Sequence, residues 1–154
     1  MVSPVEPDLS RPDTLVGRWS WERHIEDRYA GQALTATGTL DLAPAAPGLL
    51  TWTETGVLDR PDGTRVDVRR GLRLEHRPEG WWVVFEDGHD FHPWTPGVEV
   101  VHPCRADTYR GTVTGDPTGW TVVWRVLGPA KDHTITTTLS GWVALSAVSP
   151  TVVP

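Results

Sequence analysis

Lysine is almost missing from this chain. Among 154 residues Lys131 is the only one, and the formal net charge is −6. No Lys/Arg cluster or basic stripe forms, which argues against nucleic acid as a partner. Cysteine is as scarce: Cys104 stands alone, so no internal disulfide forms, and this usage agrees with a reducing compartment. Hydrophobic runs are short and interrupted, which excludes a membrane-spanning helix. Residues 1–13 are Pro-rich and acidic and lack the basic and apolar blocks of a signal peptide. A cytoplasmic protein is the expectation. Helical periodicity is absent; at most Asp13-Thr14-Leu15-Val16 opens with one turn.

Tryptophan, by contrast, is plentiful: nine against two Tyr and two Phe. Such side chains fill cores, and they also line small-molecule cavities. Turn signals recur at short intervals, among them Arg60-Pro61-Asp62-Gly63, Arg77-Pro78-Glu79-Gly80, Asp116-Pro117-Thr118-Gly119 and Leu127-Gly128-Pro129. Each supplies a preset φ at Pro or a permissive Gly. Between them, residues 15–26, 34–42, 49–58, 64–76, 81–86, 98–102, 107–114, 120–127 and 133–145 are alternating β-branched and aromatic stretches. Regular strands with hairpin-length links, and no long crossover, predict one domain: an antiparallel up-and-down barrel of eight to ten strands. Its interior would hold one small ligand. The barrel is expected over 14–145, with loosely ordered tails at 1–13 and 146–154.

A strand's period of two separates its faces, and the greasier faces are repeatedly interrupted by polar residues. Arg23 sits with Trp19, Trp21 and Ile25; Glu54 with Leu50, Trp52 and Leu58; Arg70 with Val68, Leu72 and Leu74. His102 and Cys104 follow Val98 and Val100, while Asp107 and Tyr109 precede Val113. Buried charge is costly unless paired, so this ladder is either a satisfied network or a ligand site.

Two resemblances follow from short motifs. Gly17-Arg18-Trp19 resembles the Gly-x-Trp signature of lipocalins and related calycins. That likeness implies a Trp closing the barrel floor against a basic residue of the last strand, yet residues 134–145 contain no Arg or Lys. Three further motifs occur in order: Glu86-Asp87-Gly88-His89-x-Phe91-His92, His102-Pro103-Cys104-x-x-Asp107-x-Tyr109-x-Gly111, and Gly128-Pro129-Ala130-Lys131-Asp132. Together they are similar to the domain of unknown function 6314 family, small calycin-like proteins, and they cover most of the chain. In that pattern the position of His89 is more often Arg and that of His133 often aromatic. The resemblance implies a calycin-like fold and a shared polar site, and no particular activity.

Several constellations carry chemistry. His89, His92, His102 and Cys104 are metal-type donors. However, a His-x-x-His loop has no fixed geometry, Pro103 interrupts the strand, and no second Cys exists. The preferred reading is histidines that tie the Phe91 loop to the barrel mouth, with no metal and no cofactor. Cys104 beside His102 and Asp107 has the types of a nucleophile with base and orienter, but three types within seven residues do not converge as a triad must. Cys104 is read as a small buried packing residue. Glu54 and Arg70 are equidistant from the turn at position 62 and should meet across their hairpin. Arg23 then has no evident partner on neighbouring strands and would accept a carboxylate, phosphate or carbonyl. Lys131, at a turn, is solvated by default; pointed into the mouth, it would bind an anion or form a Schiff base.

The expectation is therefore a lipocalin-like small-molecule binding protein. Trp52, Trp81 and Trp124 would form aromatic walls. Arg23, Glu54, Arg70, His102 and Tyr109 would orient a ligand carrying an anionic or carbonyl group, with Lys131 at the mouth. A loop bearing Phe91, His92 and Trp94 would border the entrance. The alternative is a cofactor-free isomerase, cyclase or hydratase in which His102 or Asp107 acts as base and Tyr109 as acid. A haem or metal barrel using His92 or His102 is a weaker alternative. The expected partner is a small molecule, with a homodimer left open.

Overall fold

The computed structural model describes residues 6–116 and 118–144. Ten antiparallel strands follow one another: β1 (Gly17–Asp27), β2 (Gln32–Ala46), β3 (Leu49–Asp59), β4 (Arg65–Arg77), β5 (Gly80–Phe85), β6 (Asp90–Pro93), β7 (Val100–Cys104), β8 (Asp107–Asp116), β9 (Gly119–Gly128) and β10 (Lys131–Val143). The sheet order is β6-β5-β4-β3-β2-β1-β10-β9-β8-β7. Every neighbouring pair in the sheet is thus a neighbour in the chain, except that β1 pairs with β10 to join the two ends. The sheet curls into a nearly closed barrel whose two edges, β6 and β7, face each other. The up-and-down barrel read from the turn spacing is the architecture observed. One strand was not expected. Residues 90–93 pair with β5 as β6, where the sequence had suggested a loop, because Phe91 and His92 are both buried at a bulge in the ladder that turns consecutive side chains inward.

The lower end, where β1 begins, is sealed by tryptophan. Trp19 is fully buried and meets Trp120 edge to face at 5.6 Å; Trp120 in turn meets Trp52 and Trp94, each at 5.8 Å. Such perpendicular packing is favoured by the aromatic quadrupole. Among the described residues the Trp120 indole N–H has no hydrogen-bond acceptor, and the ring faces around it are the available substitutes. The last strand does supply a partner for the floor Trp, but an aromatic one in place of the missing base. Trp142 packs on Trp19 at 6.4 Å and donates its indole N–H to the Val16 carbonyl. Gly17 has φ +146°, and a Cβ there would sit 2.5 Å from the Trp142 Nε1. Only glycine admits the indole so close.

A single 3-10 turn, Pro12–Leu15, leads into β1. It covers the floor from below, with Pro12, Thr14 and Leu15 buried. Trp94 donates to the Leu9 carbonyl at 2.8 Å, and the Asp8 amide donates to the Thr14 hydroxyl at 2.7 Å. Of the stretch read as an N-terminal tail, residues 8–13 therefore pack on the barrel, because an indole at the floor needs an acceptor that β6 cannot provide. The expected tail at 146–154 lies outside the described residues.

Halfway up, β1, β2 and β3 come into unusually close contact. Gly38 pairs directly with Gly56 and with Trp21. A Cβ on Gly38 would collide with the Thr55 carbonyl and lie 2.5 Å from the Trp21 ring. The two glycines leave room for the indole to lie flat across the strands. Gly38→Ala is therefore expected to cost about 1–3 kcal/mol through overpacking. The midpoint of urea unfolding, followed by tryptophan fluorescence, measures this; an unchanged midpoint would mean that Trp21 has space to retreat.

Candidate functional site

Above the tryptophan floor the barrel encloses a partly open cavity of about 190 Å³. Its wall is mostly apolar. Ile25 comes from β1, Trp52 from β3, Phe91 from β6, Tyr109 from β8, Val122 and Trp124 from β9, and Ile135 and Leu139 from β10. Phe91 stacks on Trp124 at 5.0 Å with only 13° between the planes, and Phe85 stacks behind Phe91 at 4.5 Å. Gly111, opposite Trp124 on β8, clears the space that the indole occupies: a Cβ there would lie 2.5 Å from the ring.

Four polar side chains break this wall: Arg23, Glu54, Arg70 and Thr137. They form one cluster. Glu54 is 3% exposed, and Arg70 stands directly opposite it across the β3–β4 hairpin, as the symmetric spacing predicts. Arg70 Nη2 donates to Glu54 Oε2 at 3.1 Å. Trp52, two residues before Glu54 on the same face, donates its Nε1 to Oε2 at 2.8 Å. Arg23 is not without a partner, contrary to the expectation. Its Nη2 donates to Glu54 Oε1 at 2.8 Å and its Nε to the Thr137 hydroxyl at 2.7 Å. The reach is possible because Ala36 and Gly38, which face Arg23 and Trp21 on β2, are too small to block it. The guanidinium rests over the Trp21 ring at 4.5 Å, a cation–π contact. Burial alone pushes the Glu54 pKa up, but the Arg70 and Arg23 charges and the hydrogen bonds from Arg23 and Trp52 outweigh it. The carboxyl is held below its ordinary range and stays ionised.

The other residues singled out by sequence lie around the cavity. His102 pairs across strands with Tyr109 and touches the edges of Phe85, Phe91 and Tyr109 at 5.7, 5.1 and 6.3 Å. Asp107 and Lys131 form an ion pair at the rim, Nζ to Oδ2, 3.1 Å. The hydrogen bond to Asp107, with Tyr109 close by, raises the lysine pKa. Lys131 is thus anchored to a carboxylate, where the default reading had it solvated. Of His102, Asp107 and Tyr109, only Tyr109 lines the cavity. Trp81 and Trp94 do not: Trp81 meets His76 at 5.0 Å with the ring planes tilted by 42°, and Trp94 belongs to the floor itself. Cys104 is exposed rather than buried, since it ends an edge strand at the rim and no neighbour covers it. Among the described residues no three His, Cys, Asp or Glu side chains converge to hold a metal ion, and no helix is long and apolar enough to cross a membrane.

A model of the Family of unknown function (DUF6314) matches residues 15–141. The chain belongs to the DUF6314 family. No curated protein matches it. Among solved structures the DUF6314 chain is similar to designed barrels. One is a redesigned beta barrel, mFAP0, bound to DFHBI, at 18% identity and a TM-score of 0.46, covering 82% of this chain and 98% of that one. A fluorescence-activating beta barrel designed de novo is similar at 17% identity and a TM-score of 0.40, covering 82% of this chain and 93% of that one.

Five wall residues of the DUF6314 cavity were not singled out by sequence: Ile25, Val122, Ile135, Thr137 and Leu139. Four are ordinary aliphatic members of an inner face and carry no signal of their own. Thr137 did carry one, as a polar residue between Ile135 and Leu139 on its face of β10. It escaped because only charged or titratable interruptions were sought.

His92 lies behind this wall, 6% exposed, against Phe91 and Trp124 at 4.8 and 5.3 Å. Its Nδ1 is 2.8 Å from the Pro93 carbonyl, which accepts the proton of the neutral ring. Burial is the main cause that depresses its pKa to about 4, only partly offset by that hydrogen bond, with His102 and Arg70 adding to the depression. A histidine kept neutral in the fold and protonated in the unfolded chain destabilises the fold as pH falls from about 6.5 towards 4. We expect the DUF6314 barrel to lose about 2 kcal/mol between pH 7 and pH 5 from this group, and His92→Phe to remove that slope. Urea unfolding at the two pH values checks it; equal slopes in both proteins would refute the assignment.

Proposed function

We propose that the DUF6314 barrel is a small-molecule binding protein whose ligand sits in the cavity and carries an anionic or carbonyl group. The observation behind this reading is the guanidinium cluster in an otherwise apolar wall. Small-molecule sites are mostly hydrophobic, with a few convergent polar groups that fix orientation. A guanidinium has five N–H donors. Arg23 commits Nε and one Nη2 hydrogen, and Arg70 one Nη2 hydrogen, to protein acceptors. Both side chains line the cavity, and a ligand oxygen is the chemistry that satisfies their remaining donors. The side chain of Arg70 is 44% exposed and that of Arg23 16%, so Arg70 meets an incoming ligand first and Arg23 holds it deeper. Trp52, Phe91, Tyr109 and Trp124 supply the aromatic surface against which a planar ligand packs.

Thermal unfolding with a panel of ring-sized carboxylates, ketones and hydrocarbons tests the reading. A ligand present at about a hundred times its Kd stabilises by about 2.7 kcal/mol, a rise of roughly 5–10 °C for a chain of this size. Val122→Phe, which fills the cavity from β9, should abolish the rise while circular dichroism shows an intact sheet. The same rise in wild type and in the filled variant would place binding elsewhere and sink the proposal.

A further inference from the structure

The charge count in the wall says more about the ligand than its polarity. Two guanidiniums face one carboxylate, with Arg23 and Arg70 at 2.8 and 3.1 Å from Glu54, and Glu54 stays ionised. The cluster therefore presents a surplus of one positive charge to the cavity. At the rim Lys131 is matched by Asp107, 3.1 Å away. Size is restrictive as well. The cavity measures about 190 Å³; an apolar cavity of about 150 Å³ takes benzene, whereas drug-sized ligands need about 300–1,000 Å³. There is room for one ring and a short substituent. Phe91 and Trp124, nearly parallel at 13°, offer that ring a flat wall, and both guanidiniums line the same cavity.

We propose, building on the binding reading above, that the ligand is a single-ring monoanion such as an aromatic monocarboxylate, and that Glu54 is the residue that selects for one negative charge. Without Glu54 the site would carry two unmatched cations and suit a dianion such as a phosphate monoester. With it, a dianion leaves one negative charge uncompensated in a partly buried site, and a neutral ring leaves a desolvated guanidinium without its oxygen partner. Both are penalised, because a charge taken from water must be matched where it is buried. Glu54 does this by cancelling one of the two guanidinium charges.

Calorimetric titration with benzoate, phenyl phosphate and toluene tests the proposal on the full chain. At pH 7.5 benzoate should bind at least about ten-fold more tightly than either of the others. Lowering the pH to 5 makes phenyl phosphate a monoanion, its second pKa being about 6. Its affinity should then rise towards that of benzoate, while benzoate itself barely changes. Arg70→Met should weaken benzoate at least about ten-fold and leave toluene within about three-fold. Glu54→Gln should shift the ratio towards phenyl phosphate by at least about ten-fold; the pH comparison in wild type stands in for it if that variant does not fold. Toluene binding as tightly as benzoate, or phenyl phosphate binding more tightly at pH 7.5 than at pH 5, would overturn charge selection and leave small-molecule binding intact. Failure of all three probes to bind would overturn both.

Discussion

A carboxylate sealed inside a barrel dictates where its cations must be. Glu54 draws Arg70 from the next strand, Trp52 from its own and Arg23 from two strands away, and Arg23 in turn engages Thr137 on β10. Four strands are thereby tied at one height. Removing one partner of such a buried set typically costs about 3–5 kcal/mol, because the other is left desolvated and alone. The close contact of β1, β2 and β3 at Gly38 and Gly56 serves the same knot, since it lets Trp21 lie flat and carry the guanidinium above it. The cluster stands in the wall of the cavity, above the tryptophan floor.

The two ends of the barrel are built by different physics. The floor is aromatic: Trp19, Trp52, Trp94 and Trp120 meet at steep angles, with the Pro12–Leu15 turn beneath them. The rim is made of hairpins tied by ion pairs, among them Lys131 with Asp107 and Arg125 with Asp132. Exposed pairs of this kind contribute little stability. The two ends thus differ in what holds them, buried aromatic packing below and partly exposed ion pairs above.

Alternation along the strands made the faces legible. It placed Arg23, Glu54, Arg70, Trp52 and Trp124 inside, and the spacing about position 62 paired Glu54 with Arg70. Height along the barrel axis was not legible, because a period of two gives the side of a strand but not the level. Trp81 and Trp94 share the inward preference of Trp124 yet end at the floor. The partner of Arg23 was hidden for a related reason: hairpin arithmetic finds neighbours on adjacent strands, and Arg23 crosses a whole strand of small residues. Strand β6 escaped because it is four residues long and ends in Pro93, which reads as a breaker. Cys104 was misjudged because its exposure depends on lying at the edge of the sheet, a property of the closed shape and not of its neighbours in sequence.

The meeting of β6 and β7 has a consequence for how this protein behaves in a crowd. A barrel that stops short of closing keeps two strand edges, and such edges recruit foreign strands into aggregates. Here the edges are only four and five residues long, and each contains a proline, Pro93 and Pro103. The Trp94 amide points to β5, where it bonds the Trp81 carbonyl, so position 93 is one whose amide would otherwise point outward; proline has no proton to offer there. Two short edges that each carry a proline are poor templates for a further strand, so an unclosed sheet need not invite extension by a second chain.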